Sequence, residues 1–103
     1  MSNLMKLLTL VLMVGASGLA KADYDLLQKK NCFACHAMDK RKYGPNFKEI
    51  SVKYAADKNG TTYISQKIKA GSSGVWGLDM MPPQPQVSDA EALTLAKYIL
   101  SLK

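Results

Sequence analysis

The sequence predicts an all-α domain. Three observations carry that prediction: apolar residues recur at helical intervals, Gly- and Pro-containing stretches separate the runs, and the period-two alternation of strands is scarce. Nothing repeats and no stretch is of low complexity, so a single domain is expected, over residues 23–103. The first 22 residues read as an export leader: basic Lys6, an apolar run from Leu7 to Ala16 broken only by Thr9 and Gly15, then small residues ending Ala20-Lys21-Ala22. That apolar run of about ten residues is half of the roughly 20 needed to cross a bilayer, so cleavage and release into the periplasm are expected, not a permanent membrane anchor.

Four to five helices are expected after the leader. The first spans about Tyr24 to Asn31, with Asp23 as its N-cap and Leu26, Leu27 and Phe33 as apolar contacts. Asn46 followed three residues later by Glu49 has the spacing of a capping box and opens a short helix through about Ala56. Thr61 or Thr62 can cap a third helix carrying Tyr63, Ile64 and Ile68, which stops at Gly71. A long irregular loop from Ser72 to Val87 follows. Ser88 and Glu91 then repeat the capping-box spacing, and Ala92, Leu95, Ala96 and Ile99 form a buried stripe on a last helix running to the C-terminus. The small Ala92 and Ala96 permit a close crossing, and the first helix is the expected partner.

Charge narrows the function classes. Loss of the leader removes two of the 14 basic residues, Lys6 and Lys21, and none of the 8 acidic ones, leaving a net charge of +4. No nucleic-acid recognition motif accompanies the lysines, so a nucleic-acid partner is not expected. A mildly cationic surface is either a solvated exterior or a docking face for acidic proteins.

The chemistry is concentrated in Cys32-Phe33-Ala34-Cys35-His36, which contains both cysteines and the only histidine of the chain. Covalent haem attachment needs two thiols one helical turn apart to reach two vinyl groups, then an imidazole on the same turn that can face the iron; the spacing i, i+3, i+4 supplies this. Other readings fit less well. A thioredoxin-type dithiol expects a βαβ setting and has no use for the histidine, a disulfide would close too short a loop to stabilise much, and zinc lacks further Cys or His ligands. One covalently bound haem c per chain is therefore expected, at Cys32 and Cys35, with His36 as an axial iron ligand.

With no second histidine, the other axial ligand should be a methionine. Met38, Met80 and Met81 survive loss of the leader, and Met38 lies too near His36 to reach the far side of a haem. Met81 immediately precedes Pro82-Pro83, which confines its backbone to extended geometry and stiffens the loop, so Met81 is favoured over Met80. The competing reading, that the Met80-Met81 pair only fills a core, suits methionine in general.

Across essentially all of residues 23–103 the chain resembles the small bacterial class I cytochromes c of the c-551/c-552 type. The landmarks are Cys32-x-x-Cys35-His36, Gly44-Pro45, Gly74-Val75-Trp76-Gly77, Met81-Pro82-Pro83, and Val87-Ser88-Asp89 entering a helix with Ala96-Lys97. The resemblance implies the class I fold wrapped around one haem, Met81 as the axial methionine with Met80 on a non-ligand position, and a Pro45 carbonyl that accepts the proton on the far ring nitrogen of His36. It further implies that Trp76 donates its indole N–H to a haem propionate and that Lys67 places a cation near the same group. One position departs: relatives commonly carry Asn after Met-Pro-Pro, within reach of the ligand sulfur, where this chain has Gln84.

Two permanent axial ligands leave no open iron position, so an electron carrier is expected and not an enzyme. It would shuttle electrons between respiratory redox proteins as a monomer. Lys29, Lys30, Lys40, Arg41, Lys42, Lys67 and Lys69 are the candidate basic surround for acidic donor and acceptor proteins. The second reading is a haem protein that binds small ligands, or acts on peroxide, when Met81 dissociates. Haem also answers a size problem, because 81 residues lie near the lower limit for a purely proteinaceous core. Covering several hundred Å² of porphyrin at roughly 25 cal/mol per Å² is worth on the order of 10 kcal/mol, as large as the stability of a small domain.

Overall fold

The computed structural model describes residues 18–103. Most of the expected leader, residues 1–17, lies outside them. Among the described residues the chain forms four α-helices and one 3-10 turn: α1 (18–29), the turn Cys32–Ala34, α2 (Phe47–Tyr54), α3 (Gly60–Ala70) and α4 (Asp89–Ser101). They contain no strand, only an isolated antiparallel bridge between Ser72 and Met81, and no helix long and apolar enough to cross a membrane.

The start of α1 corrects the expectation. Helix is already present at Gly18, because Leu19, Ala20, Lys21 and Ala22 continue the helical register with good helix formers; Asp23 therefore sits inside the helix and caps nothing. The helix stops at Lys29, two residues before the expected end. Asn31 then takes the left-handed conformation (φ 66°), which asparagine tolerates better than most residues, and this turns the chain into the 3-10 segment.

Both expected capping boxes form. The Asn46 side chain accepts the Glu49 N–H (2.7 Å) while the Glu49 carboxylate accepts the Asn46 N–H (3.0 Å), and Ser88 and Glu91 do the same at 3.1 and 2.9 Å. Each pair satisfies two backbone donors that a helix start would otherwise leave unpaired. α3 begins earlier than Thr61 or Thr62, and neither threonine is its cap. The Asp57 carboxylate accepts the Asn59 N–H and the Asp57 carbonyl accepts the Gly60 N–H, both at 2.9 Å, so a tight turn feeds directly into the helix. α4 ends at Ser101 rather than Lys103: its hydroxyl donates to the Tyr98 carbonyl and the Leu102 N–H to that of Ile99, closing the last turn.

Leu27, Val87, Ala92, Leu95 and Ala96 are completely buried, with Phe47, Ile50, Ile64, Ile68 and Ile99 around them. α2 and α3 both pack on α4. α1 crosses it as well: the Lys30 ammonium lies 3.2 Å from the Glu91 carboxylate at one end, and at the other burial, together with nearby Asp23 and Tyr24, raises the pKa of the Tyr98 phenol. Ala92 and Ala96 are completely buried on α4, as small residues at a close helix crossing are. Leu95 stands at the centre of this packing, and Leu95→Ala would cost about 2–5 kcal/mol.

Candidate cofactor site

One wall of the site is built from a single turn. The His36 and Cys35 N–H groups both donate to the Cys32 carbonyl, at 3.1 and 3.3 Å, so two sulfurs and an imidazole emerge from one tight segment. All three side chains line a cleft that opens between this turn, α2, α3 and the loop before α4. The cysteines are not joined to each other. Burial, with a smaller contribution from Cys35, pushes the Cys32 thiol up, the reverse of the activation a redox dithiol requires.

His36 is fixed from three sides. Its Nδ1 lies 2.7 Å from the Pro45 carbonyl, and since a carbonyl only accepts, Nδ1 carries the proton and Nε2 keeps the lone pair. Burial lowers the pKa of the ring below 6.5; the bond to Pro45 opposes this but is the smaller effect, so the imidazole is neutral at physiological pH. The ring stacks on Phe47 with centroids 5.0 Å apart. On the remaining side Gly44 approaches so closely that a Cβ there would sit 2.8 Å from the ring's Cε1.

The facing wall is loop. Met81 lines the same cleft, and its backbone pairs with Ser72 in both directions, N–H to carbonyl at 2.8 Å and carbonyl to N–H at 3.0 Å. Gly71, read from sequence only as a helix stop, also seats Met81: it adopts φ 77° and ψ −179°, open in practice to glycine alone, and a Cβ would meet the Met81 carbonyl oxygen at 2.5 Å. Met80 reaches the cleft too but is 56% exposed, whereas Met81 packs against the core. Met38 packs on the core and is not part of the cleft. The Gln84 amide donates to the Pro82 carbonyl at 2.9 Å and accepts from Gln86, so that side chain is engaged within its own loop.

Trp76 and Lys67 both line the cleft. Around them lie groups that sequence reasoning did not single out as site residues. The Lys53 ammonium sits 4.6 Å from the Trp76 ring, Tyr54 meets Trp76 edge-on at 6.5 Å, and Tyr54 pairs with Tyr63, whose phenol is raised chiefly by their hydrogen bond. Arg41, expected from the sequence only as a rim cation, donates to the Trp76 carbonyl at 3.0 Å. Such contacts join segments far apart in the chain, and no local pattern announces them. Of the seven expected rim cations only Arg41 and Lys67 line the cleft, while Lys30 and Lys69 are paired with Glu91 and Asp89 near the start of α4.

Haem c asks for two thiols, a neutral imidazole with its second nitrogen free, a soft donor from another segment and walls that are mostly apolar. The cleft offers each of these, with Phe47, Ile50, Ile64, Ile68 and Ile99 among its lining. The donor set fits the group. The cytochrome c family model matches residues 24–103. The chain belongs to the cytochrome c family.

Within that family it is a small class I cytochrome of the c-551/c-552 type. It is 52% identical over 87 residues to cytochrome c-552 of Nitrosomonas europaea, covering 84% of each chain, and 46% identical over 99 residues to cytochrome c-552 of Hydrogenobacter thermophilus, covering 96% of this chain and all of the relative. The crystal structure of the wild-type Nitrosomonas europaea protein superposes with a TM-score of 0.76 at 51% identity, over 78% of this chain and 99% of that one. The all-α class I fold expected from sequence is thus the fold observed. As a c-551/c-552 cytochrome the chain is a monohaem electron carrier with covalently bound haem c.

Proposed function

We propose that this chain is a periplasmic one-electron carrier, not an enzyme, whose haem is joined to Cys32 and Cys35 and whose axial ligands are His36 and Met81. The observation that carries this reading is the convergence of those four side chains, from two separate segments, on one largely apolar cleft. Bound haem supplies a one-electron iron couple. Pro45 holds the proton on Nδ1 of His36 and so keeps Nε2 available as a donor, while the Ser72 pairing and the extended backbone before Pro82 hold Met81 in place. A neutral thioether and apolar walls favour the state of lower charge, which raises the reduction potential. Trp76 and Lys67 are assigned the role of donors to a propionate, whose charge would be costly to bury unpartnered.

The leader, residues 1–22, is assigned to export, with the secreted chain beginning at Asp23. Docking is assigned to the cleft's rim, where Arg41 and Lys67 contribute positive charge toward acidic donor and acceptor proteins. Three experiments test the reading. The exported protein should have Asp23 as its first residue and the mass of one added haem, and the native ferrous form should refuse carbon monoxide; ready uptake of carbon monoxide would instead favour the ligand-binding alternative. Electron-transfer rates with an acidic partner should fall as salt rises, and rates indifferent to ionic strength would remove the docking assignment.

A further inference from the structure

The loop of residues 39–45 carries three consecutive cations, Lys40-Arg41-Lys42, and two of them do more than add charge. Lys42 donates to the Phe33 carbonyl at 2.7 Å, within the Cys32–Ala34 turn, and so ties the loop to its own wall of the cleft. Arg41 reaches the other wall and donates to the Trp76 carbonyl at 3.0 Å. Trp76 lies between Ser72 and Met81, the two residues whose backbone bridge seats the sulfur donor, and only a few residues beyond Arg41 the Pro45 carbonyl holds His36. Among the described residues, Arg41 makes the only side-chain hydrogen bond between segment 36–45 and segment 72–81.

We propose that Arg41 is a positioning residue: its guanidinium latches the histidine-bearing wall to the methionine-bearing loop and sets how readily Met81 leaves the iron. This rests on the assignment of Met81 as ligand. Segment 72–81 has no helix of its own, and it is held to the body of the protein by the Ser72 and Met81 pairing, the packing of Trp76 against Lys53 and Tyr54, the anchoring of its ends and this latch. A charge-assisted hydrogen bond from a planar guanidinium restrains the loop more than its neighbours' point charges can. Both the bond and the residue are exposed, so the expected effect is modest.

The test uses the ferric holoprotein and imidazole as the competing ligand, read by loss of the sulfur-to-iron charge-transfer band. Arg41→Ala should raise imidazole affinity about fivefold, and amide exchange at Ser72 and Met81 should accelerate with it. Arg41→Lys, which keeps a donor on a stem of similar length, should restore affinity to within about twofold. Lys40→Ala removes the same charge from the same loop but no side-chain hydrogen bond, and should leave imidazole affinity unchanged. Unaltered affinity in Arg41→Ala overturns the latch, as does an equal rise in Lys40→Ala, which would make the effect one of charge alone. Absence of the sulfur band in the wild-type protein is a separate result that removes the Met81 assignment and the latch together.

Discussion

The two walls of the cleft are held by different means. The His36 wall is local: turn, imidazole, Gly44, Pro45 and the stacked Phe47 all fall within sixteen residues, joined by short hydrogen bonds and leading into a capped helix. The Met81 wall is a loop pinned at scattered points, by Ser72, by the clearance at Gly71, by the Gln84 N–H on the Ile68 carbonyl and by Arg41. Rigidity drawn from one short segment survives the loss of a single contact better than rigidity assembled from distant ones. With Met81 as the proposed ligand, the contrast predicts that the sulfur side opens first.

The largest effect that would break this comparison is removal of both attachment points. Cys32→Ala with Cys35→Ala, made without haem, should leave a chain that does not fold, seen as lost helicity and no cooperative melt, because the cofactor contributes burial on the order of the whole stability of the domain. Full helicity with a cooperative transition would contradict it. Next comes Gly71→Ala, which forces a side chain into a backbone region it cannot comfortably adopt and against the Met81 carbonyl. A loss of about 2–4 kcal/mol in denaturant unfolding is expected, with weakening of the sulfur band before global unfolding. Gly44→Ala, which crowds His36, should destabilise without that early spectral change, and an identical response of the two glycines would erase the distinction between the walls.

Much of this architecture was legible in the residues. Asn46 with Glu49 and Ser88 with Glu91 announced two helices because a capping box is written in four consecutive positions, and the cysteine motif announced its chemistry for the same reason. The misreadings arose where local signals competed. Asp23 is a good cap in isolation, but Leu19 to Ala22 extend the helix through it, and Thr61 and Thr62 were outcompeted by the Asp57 turn. Gly71 spoke as a helix terminator and concealed its second task, since only the folded chain brings Met81 against it. The Trp76, Tyr54 and Tyr63 cluster and the Arg41 bond depend on tertiary contact alone.

Smaller effects sharpen the picture away from the cleft. Ser88→Ala and Asn46→Ala should each cost about 1 kcal/mol in thermal or denaturant unfolding, since each frees a helix-start N–H. The smallest is a pH effect. The Ser88 backbone N–H, and secondarily Lys30, hold the Glu91 carboxyl below its ordinary 4.5, so its contribution to stability is present above that pH and fades as pH falls through the lowered value. Glu91→Gln should therefore lie below wild type in melting temperature at neutral pH and converge with it in acid; parallel curves would show that Glu91 is not the group responsible.

The most direct measurement is the optical spectrum of the oxidised protein beside that of Met81→Ala. Wild type should show the sulfur-to-iron charge-transfer band, and the variant should lose it while retaining covalently attached haem and most of its helicity. A band that persists in Met81→Ala, or one missing from wild type, would contradict the pairing of His36 with Met81 on which the account depends.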